Sequence, residues 1–351
     1  MGKLEQTLGR IGVLDREAMR AARERQNRLT KPPGSLGRLE ELSLLVAGIQ
    51  GTPRPDVSAK VIFTLAGDHG VVQEGVSAYP QEVTAQMVYN FVRGGAGINV
   101  LARHVSARVV VVDMGVASDL EPHPEILVKK VGCGTKNLAQ GPAMTREEAI
   151  RSLEAGIEVF EAELVKGLQI LGAGDMGIGN TTSSAAVAAA LTGLPVETVT
   201  GRGTGIDDAR FAAKVKAVAQ GLALNRPDPK DPLDVLAKVG GFEIGGLAGV
   251  ILAGAAHRVP VVVDGFISAA AALVATEMEP KARDFLIAGH VSVEPGHRAM
   301  LEHMALKPLL NLDMRLGEGT GAALAMEIID AAVKLLNEMA TFGEAGVSEA
   351  L

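Results

Sequence analysis

Continuous apolar runs alternate with amphipathic stretches along most of the chain. Lys60–Leu65 and Ala107–Asp113, the latter carrying Val109–Val112, are apolar at nearly every position rather than every second one. That pattern belongs to strands covered on both faces. Leu168–Leu171, Val259–Val263 and a short stretch within Ala282–Ala288 predict further strands. Spacing near 3.6 predicts helices over Val13–Leu29, Leu39–Gln50, Glu82–Val92, Arg146–Lys166, Asp207–Asn225, Gly249–Arg258, Ile267–Thr276 and Thr320–Thr341. Thr145 and Glu148 have the spacing of a capping box. Lys31-Pro-Pro-Gly-Ser-Leu-Gly-Arg38 breaks the N-terminal helices, and Gly51-Thr-Pro-Arg-Pro-Asp56 marks a boundary before the α/β pattern begins. Strands alternating with helices predict an α/β fold with a doubly wound, mainly parallel sheet and flanking helices. Ligands of such sheets sit beyond the carboxyl ends of the strands.

One glycine-rich stretch follows a predicted strand: Leu171-Gly-Ala-Gly-Asp-Met-Gly-Ile-Gly-Asn-Thr-Thr-Ser-Ser184, before the helix-forming run Ala185–Leu191. A strand-to-helix loop gathers free N–H groups and the positive end of a helix dipole, which suits an anion. The same composition also suits a tight turn with Thr/Ser capping. Gly172 and Gly177 have Walker A spacing, but Ile178-Gly179 stands where Lys-Ser/Thr is required. Gly172, Gly174 and Gly177 match the dinucleotide pattern, yet Asp175 inside the loop would repel a pyrophosphate. A cradle for a phosphomonoester fits best. A dehydrogenase and a non-catalytic nucleotide-sensing module are the rival readings.

Composition narrows the partners. The 351 residues are 47% hydrophobic, with net charge −7, no Trp and 2 Tyr. No dense Lys/Arg block is present, so nucleic acid is not an expected partner. Apolar stretches are too short or glycine-broken to span a bilayer. The mixed, charged Met1–Gln6 segment has no signal-peptide core, and a cytoplasmic setting is expected. Cys133 is the single cysteine and reads as a buried structural thiol.

Other candidates for chemistry remain open on the residues alone. Glu318 in Gly317-Glu-Gly-Thr-Gly321 reads as a general base or as a dipole partner of the last helix. Asp68-His69 reads as an acid/base pair or a strand-end hydrogen bond. Gly201–Gly205 and Gly241–Gly246 are glycine loops that are either turns or ligand walls. Lys214 is within reach of a phosphate, or solvated. His290, Glu294 and His297 come nearest to metal-ligand spacing but straddle Pro295-Gly296, so no metal is expected.

Taken together, Lys31–Leu39, Gly67-Asp-His-Gly70, Val76-Ser-Ala-Tyr-Pro-Gln81, Met176-Gly-Ile-Gly-Asn-Thr-Thr182, Gly201-Arg-Gly-Thr-Gly205 and Gly317-Glu-Gly-Thr-Gly321 occur in one order. This set resembles the nicotinate-nucleotide–dimethylbenzimidazole phosphoribosyltransferase (CobT) family of cobalamin biosynthesis, from about Leu29 to Met326. The resemblance implies a Rossmann-like catalytic domain at 57–319 and a small helical domain from 1–56 and 320–351. It also implies a homodimer and no cofactor. The implied substrates are nicotinate mononucleotide and 5,6-dimethylbenzimidazole. Glu318 is the implied general base. Gly177, Ile178, Gly179, Asn180, Thr181 and Thr182 with Lys214 are implied to hold the 5′-phosphate, with Ser292 and Asp175 near the nucleotide. Ser77, Tyr79, Gln86 and Leu316 are implied around the benzimidazole. Asp175 departs from the family pattern, which has Glu before Met-Gly-Ile-Gly-Asn. Because the pyridinium of the mononucleotide is already cationic, the leaving group needs no metal-bound pyrophosphate. Glu318 needs no raised pKa, because its partner acidifies in the transition state, and a helix N-terminus behind it is expected to keep it ionised.

Overall fold

The computed structural model describes residues 2–348. Six parallel strands form one sheet: β1 (Lys60–Gly67), β2 (Arg108–Gly115), β3 (Ile126–Val128), β4 (Ile170–Met176), β5 (Val261–Val263) and β6 (Leu286–Ala288), in the order β3-β2-β1-β4-β5-β6. The winding direction reverses between β1 and β4, which opens a crevice at their carboxyl ends. The central strands are buried on both faces, as their continuous apolarity requires. Val61, Phe63, Leu65, Leu171 and Ala173 enter one core with the helices Arg146–Leu164, Phe242–Ala256 and Phe266–Met278. Ile62, Ala66, Val111 and Val262 enter a second core with the helices Val83–Val92 and Thr320–Glu338. Each fully buried large aliphatic or Phe side chain contributes about 1.5–3 kcal/mol.

Two expectations are corrected. The run Gly172–Met176 is strand, paired to β1 from Lys60↔Ile170 through Ala66↔Met176, and the helix already begins at Asn180. The turn is therefore only Gly177–Gly179. Gly172 and Gly174 serve packing: a Cβ on Gly172 would press on Ile62, Ala322 and Met326, and one on Gly174 would overlap the carbonyl of Glu318. Likewise Gly241–Gly246 is not a loop. Gly241 is an N-cap, and Phe242–Ala256 is helix, with Gly246 packed so closely on the Arg146–Leu164 helix that Gly156 has no room for a side chain.

The capping box at Thr145 and Glu148 is present. The predicted Val13–Leu29 helix is shorter, Arg16–Gln26, with Asp15 accepting the Ala18 N–H as its cap. Helix Lys3–Arg10 matches the helical reading of the N-terminal segment, which ends near Gly9 and Gly12, whereas helix Gly97–His104 and strand β3 have no counterpart in the expectation. The two chain ends meet: Leu29 bridges to Thr341, and Arg25 donates to the carbonyls of Leu336 and Met339. A small cluster of Ala22, Leu44, Ala47 and Leu336 lies between them, while Leu42 and Val46, on the same helix as Leu44, enter the sheet's second core. Cys133 is exposed, not buried, because the Gly132–Gly134 segment runs over the surface beyond β3.

Candidate active site

The crevice between β1 and β4 widens into a cavity of about 650 Å³. Its walls include the Gly177 turn, Gly203 of the Gly201–Gly205 loop, Ser292 and Glu294 beyond β6, and the Arg315–Glu318 segment. Motifs more than a hundred residues apart thus converge where a doubly wound sheet binds ligands.

Glu318 stands in the middle of a left-handed run, with φ of 84° at Gly317, 64° at Glu318 and 95° at Gly319. A non-glycine residue held there costs about 1–3 kcal/mol and persists only when its surroundings over-determine it. They do. Thr64 Oγ1 donates to the Glu318 carbonyl at 3.1 Å, and bare Gly174 lets that carbonyl lie on β4. Asp264, at the end of β5, accepts the N–H groups of Gly319 (3.2 Å) and Ala322 (2.9 Å). Glu318 is 5% exposed, and its Oε2 accepts the Ile98 N–H at 3.0 Å. Burial, reinforced by the charge of Asp264, raises the Glu318 carboxyl above its ordinary value, and the Ile98 N–H opposes that shift. The carboxyl is thus raised although the implied chemistry does not require it. The helix N-terminus expected to stabilise Glu318 is capped instead by Asp264.

Asp175 faces Gly317 across the cavity floor. One carboxylate oxygen accepts from Asn180 Nδ2 at 2.9 Å, and the other has no partner among the described residues. Burial, then the charges of Asp264 and Glu243, push its carboxyl well above the usual range.

Lys214, 1% exposed, does not itself line the cavity but lies directly behind Thr181 and Gly203, which do. Its Nζ donates to Thr181 Oγ1 at 2.8 Å and to the Gly201 carbonyl at 3.0 Å, tying the turn after β4 to the Gly201–Gly205 loop. Burial lowers its pKa to about 8, with the charge of Glu294 opposing. Glu294 accepts the Gly203 N–H at 2.8 Å, and Arg315 donates to the Gly203 carbonyl at 3.0 Å.

The expected cradle is only partly assembled on the cavity. Gly177, Ile178, Asn180 and Thr181 line it, with Asp175 and Ser292. Gly179 packs behind against His69, and Thr182 is wholly buried. The Ile178 N–H is already used, donating to Thr84 Oγ1 at 3.1 Å. Of the residues expected around a benzimidazole, Tyr79 and Leu316 line the cavity, whereas Ser77 and Gln86 do not. Ser77 Oγ accepts the Tyr79 N–H at 3.1 Å, Gln86 is exposed, and Val83 and Met87 of its helix face the cavity instead. Arg315, Thr84 and Ile98 lie outside the sequence expectation. Arg315, two residues before Gly317, carries the only usable signal, a cation beside the Gly-Glu-Gly motif.

His297 Nδ1 accepts the Ser292 N–H at 2.8 Å, and burial lowers its pKa to about 3, so it shapes the Ser292 loop as a neutral ring. Among the described residues no group of three or more His, Cys, Asp or Glu could hold a metal ion, and no helix is long and apolar enough to cross a membrane.

Residues 11–347 match a family model described as phosphoribosyltransferase. A nicotinate-nucleotide–dimethylbenzimidazole phosphoribosyltransferase of Desulforudis audaxviator is 61% identical over 350 residues, spanning 100% of this chain and 99% of its own. The enzyme of that name from Geobacter sulfurreducens is 59% identical, spanning 99% of each chain. The crystal structure of CobT from Thermus thermophilus superposes with a TM-score of 0.92 at 53% identity, covering 95% of this chain and 100% of its own. The chain belongs to this phosphoribosyltransferase family.

Proposed function

We propose that the chain transfers phosphoribose from nicotinate mononucleotide to 5,6-dimethylbenzimidazole, giving α-ribazole 5′-phosphate and nicotinate for cobalamin lower-ligand assembly. The observation that carries this reading is a buried carboxylate, Glu318, held by backbone contacts in the same cavity as Thr181, whose hydroxyl has the Lys214 ammonium directly behind it. Full-length relatives bearing that enzyme name support the substrates.

The chemistry follows from the chain's own groups. The Lys214 ammonium and the Thr181 hydroxyl anchor the 5′-phosphate, with Gly203 and Ser292 beside them. A benzimidazole ring nitrogen attacks C1′ from the face opposite the pyridinium. The C1′–N bond to nicotinate breaks, and its electron pair neutralises the pyridinium nitrogen. Configuration at C1′ inverts, so a β-nucleotide yields an α-product. As the new bond forms, the other benzimidazole N–H turns acidic and Glu318 takes the proton. A positioned base contributes about 10²–10⁴-fold. The anchored phosphate keeps C1′ in place while one base replaces the other. Tyr79 and Leu316 supply apolar surface for the incoming ring, and Ser77 and Gln86 belong to its approach. Asp175 serves as a polar floor. The terminal helices are read as a small domain, and the enzyme as a cytoplasmic homodimer, both on family resemblance.

Incubation with nicotinate mononucleotide and 5,6-dimethylbenzimidazole tests the reading. Chromatography is expected to resolve nicotinate and an equal amount of a phosphoribosylated benzimidazole with an α-anomeric proton signal. No nicotinate release by folded protein would overturn it.

A further inference from the structure

The motif Gly67-Asp-His-Gly70 touches no part of the cavity through Asp68 or His69, yet both are almost fully buried. They lie directly behind the Gly177–Gly179 turn. Gly177 is pressed so closely on the Gly67 carbonyl that a Cβ would overlap it, and a Cβ on Gly179 would lie 3.1 Å from His69 Cβ. One chain of hydrogen bonds runs from this pair into the turn, and a second bond reaches the helix that follows it. Asp68 Oδ1 accepts from Thr84 Oγ1 at 2.6 Å, and Thr84 Oγ1 in turn accepts the Ile178 N–H at 3.1 Å. The other Asp68 oxygen is fixed by the Ala117 N–H at 2.8 Å. His69 Nδ1 lies 2.9 Å from Ser183 Oγ, in the first turn of the helix after Gly179, and its Nε2 lies 2.6 Å from Glu243 Oε1.

Ser183, His69 and Glu243 form a nucleophile–base–acid constellation in outline, but all are 0% exposed. No substrate can reach Ser183, so hydrolytic chemistry is excluded on geometry. What remains is a polar network in an interior where apolar side chains would cost less. Its members hold the turn at two places: Thr84 bonds the Ile178 N–H in its middle, and His69 packs on Gly179 and meets Ser183 in the helix that follows.

We propose that Thr84 and His69 are positioning residues that hold the Gly177–Gly179 turn in the geometry that accepts the 5′-phosphate. Thr84 acts through the Ile178 N–H and His69 through Ser183. The inference rests on the proposed reading of the cavity and adds to it the device that fixes the anion wall.

The test compares Thr84→Val, which keeps the shape and removes the hydroxyl, with Thr84→Ser, which keeps the hydroxyl. Ser183→Ala, a small change in an alanine-rich helix, serves as the second variant should Thr84→Val fail to fold. Binding of nicotinate mononucleotide alone is measured by calorimetry, and KM for each substrate and kcat by nicotinate release. Thr84→Val is expected to weaken mononucleotide affinity about tenfold, the worth of one buried hydrogen bond. KM for the benzimidazole and kcat should stay within about threefold, a split that general destabilisation does not produce. Thr84→Ser should restore affinity, and Ser183→Ala should change affinity in the same selective way. Equal losses in all parameters, no rescue by serine, or unchanged mononucleotide affinity would overturn the inference. Failure of the wild type to bind the mononucleotide would instead overturn the reading of the cavity itself.

Discussion

Replacing Glu318 by Gln isolates the proton-accepting step. The two side chains have the same shape, and the Gln carbonyl oxygen can keep the Ile98 N–H that Oε2 accepts at 3.0 Å. The backbone restraints from Thr64 and Asp264 do not involve the side chain, so the left-handed turn should survive. Only the base is lost. A positioned base is worth about 10²–10⁴-fold, or about 2.7–5.5 kcal/mol of barrier, and the loss should fall on kcat with mononucleotide affinity within about threefold of wild type. Glu318 must be ionised to accept a proton, and burial with Asp264 nearby raises its pKa. The wild-type kcat/KM should therefore rise with pH through that raised pKa and, as pH falls, decline sooner than for an exposed carboxylate, near 4.3. Glu318→Gln should abolish that acid limb. Steady-state nicotinate release across pH, with calorimetric binding of the mononucleotide, reads both effects. A variant retaining more than about a tenth of wild-type kcat would refute the role of Glu318 as base. So would an acid limb that persists unchanged.

Lys214→Ala should raise KM for nicotinate mononucleotide by about tenfold or more while leaving KM for the benzimidazole near wild type, since a charge-assisted anion contact is worth about 1.5–3 kcal/mol. Because burial lowers the Lys214 pKa to about 8, mononucleotide affinity in the wild type should fall as pH rises through 8, and the variant should lack that alkaline limb. An unchanged KM, measured by nicotinate release, removes Lys214 from the anion site. Gly174→Ala places a methyl against the Glu318 carbonyl. It should cost about 1–3 kcal/mol in urea unfolding, and reduce kcat by up to about 10²-fold through displacement of Glu318. Stability loss with intact kcat would show that Glu318 is not held by β4.

The strands were legible because a both-face-buried strand leaves an unbroken apolar run, as at Val109–Val112. The glycine-rich stretch was legible as important and misread in extent. Glycine marks both a ligand loop and a place where another part of the chain comes close. Here Gly172 and Gly174 are of the second kind, and their partners, Ala322 and Glu318, lie more than 140 residues onward. Local pattern carries no information about such a partner. The same reason hid the fate of the Ile178 N–H, taken by a threonine 94 residues earlier. Glu318 stood out because a carboxylate between glycines is unusual, but its pKa direction depended on Asp264 occupying the helix N-terminus, which only the fold determines. Lys214 resembled any helix lysine, and its burial arises from closure of the Gly201–Gly205 loop over it.

Asp175 and Glu318 line one cavity floor with Asp264 wholly buried behind it, and mutual repulsion alone does not set which of the three holds a proton. Burial raises all three carboxyls first of all, and what opposes it differs: for Asp264 the charge of His290 comes before its hydrogen bonds. Asp264 is met by the backbone N–H groups of Gly319, Gly321 and Ala322, Glu318 by that of Ile98, and Asp175 only by the side-chain amide of Asn180. Donors stabilise the anion, so Asp175 is the weakest acid of the three and takes the proton first. A neutral Asp175 leaves Glu318 with one charged acidic neighbour instead of two, which favours its ionised, proton-accepting form. Asp175→Asn, an uncharged analogue of the protonated acid, should then leave the acid limb of kcat/KM where it is. If Asp175 were ionised, removing its charge would ease ionisation of Glu318, and that limb would move to lower pH by about one unit, the scale of a nearby like charge. A pH profile of the variant that shifts in this way would refute the ordering.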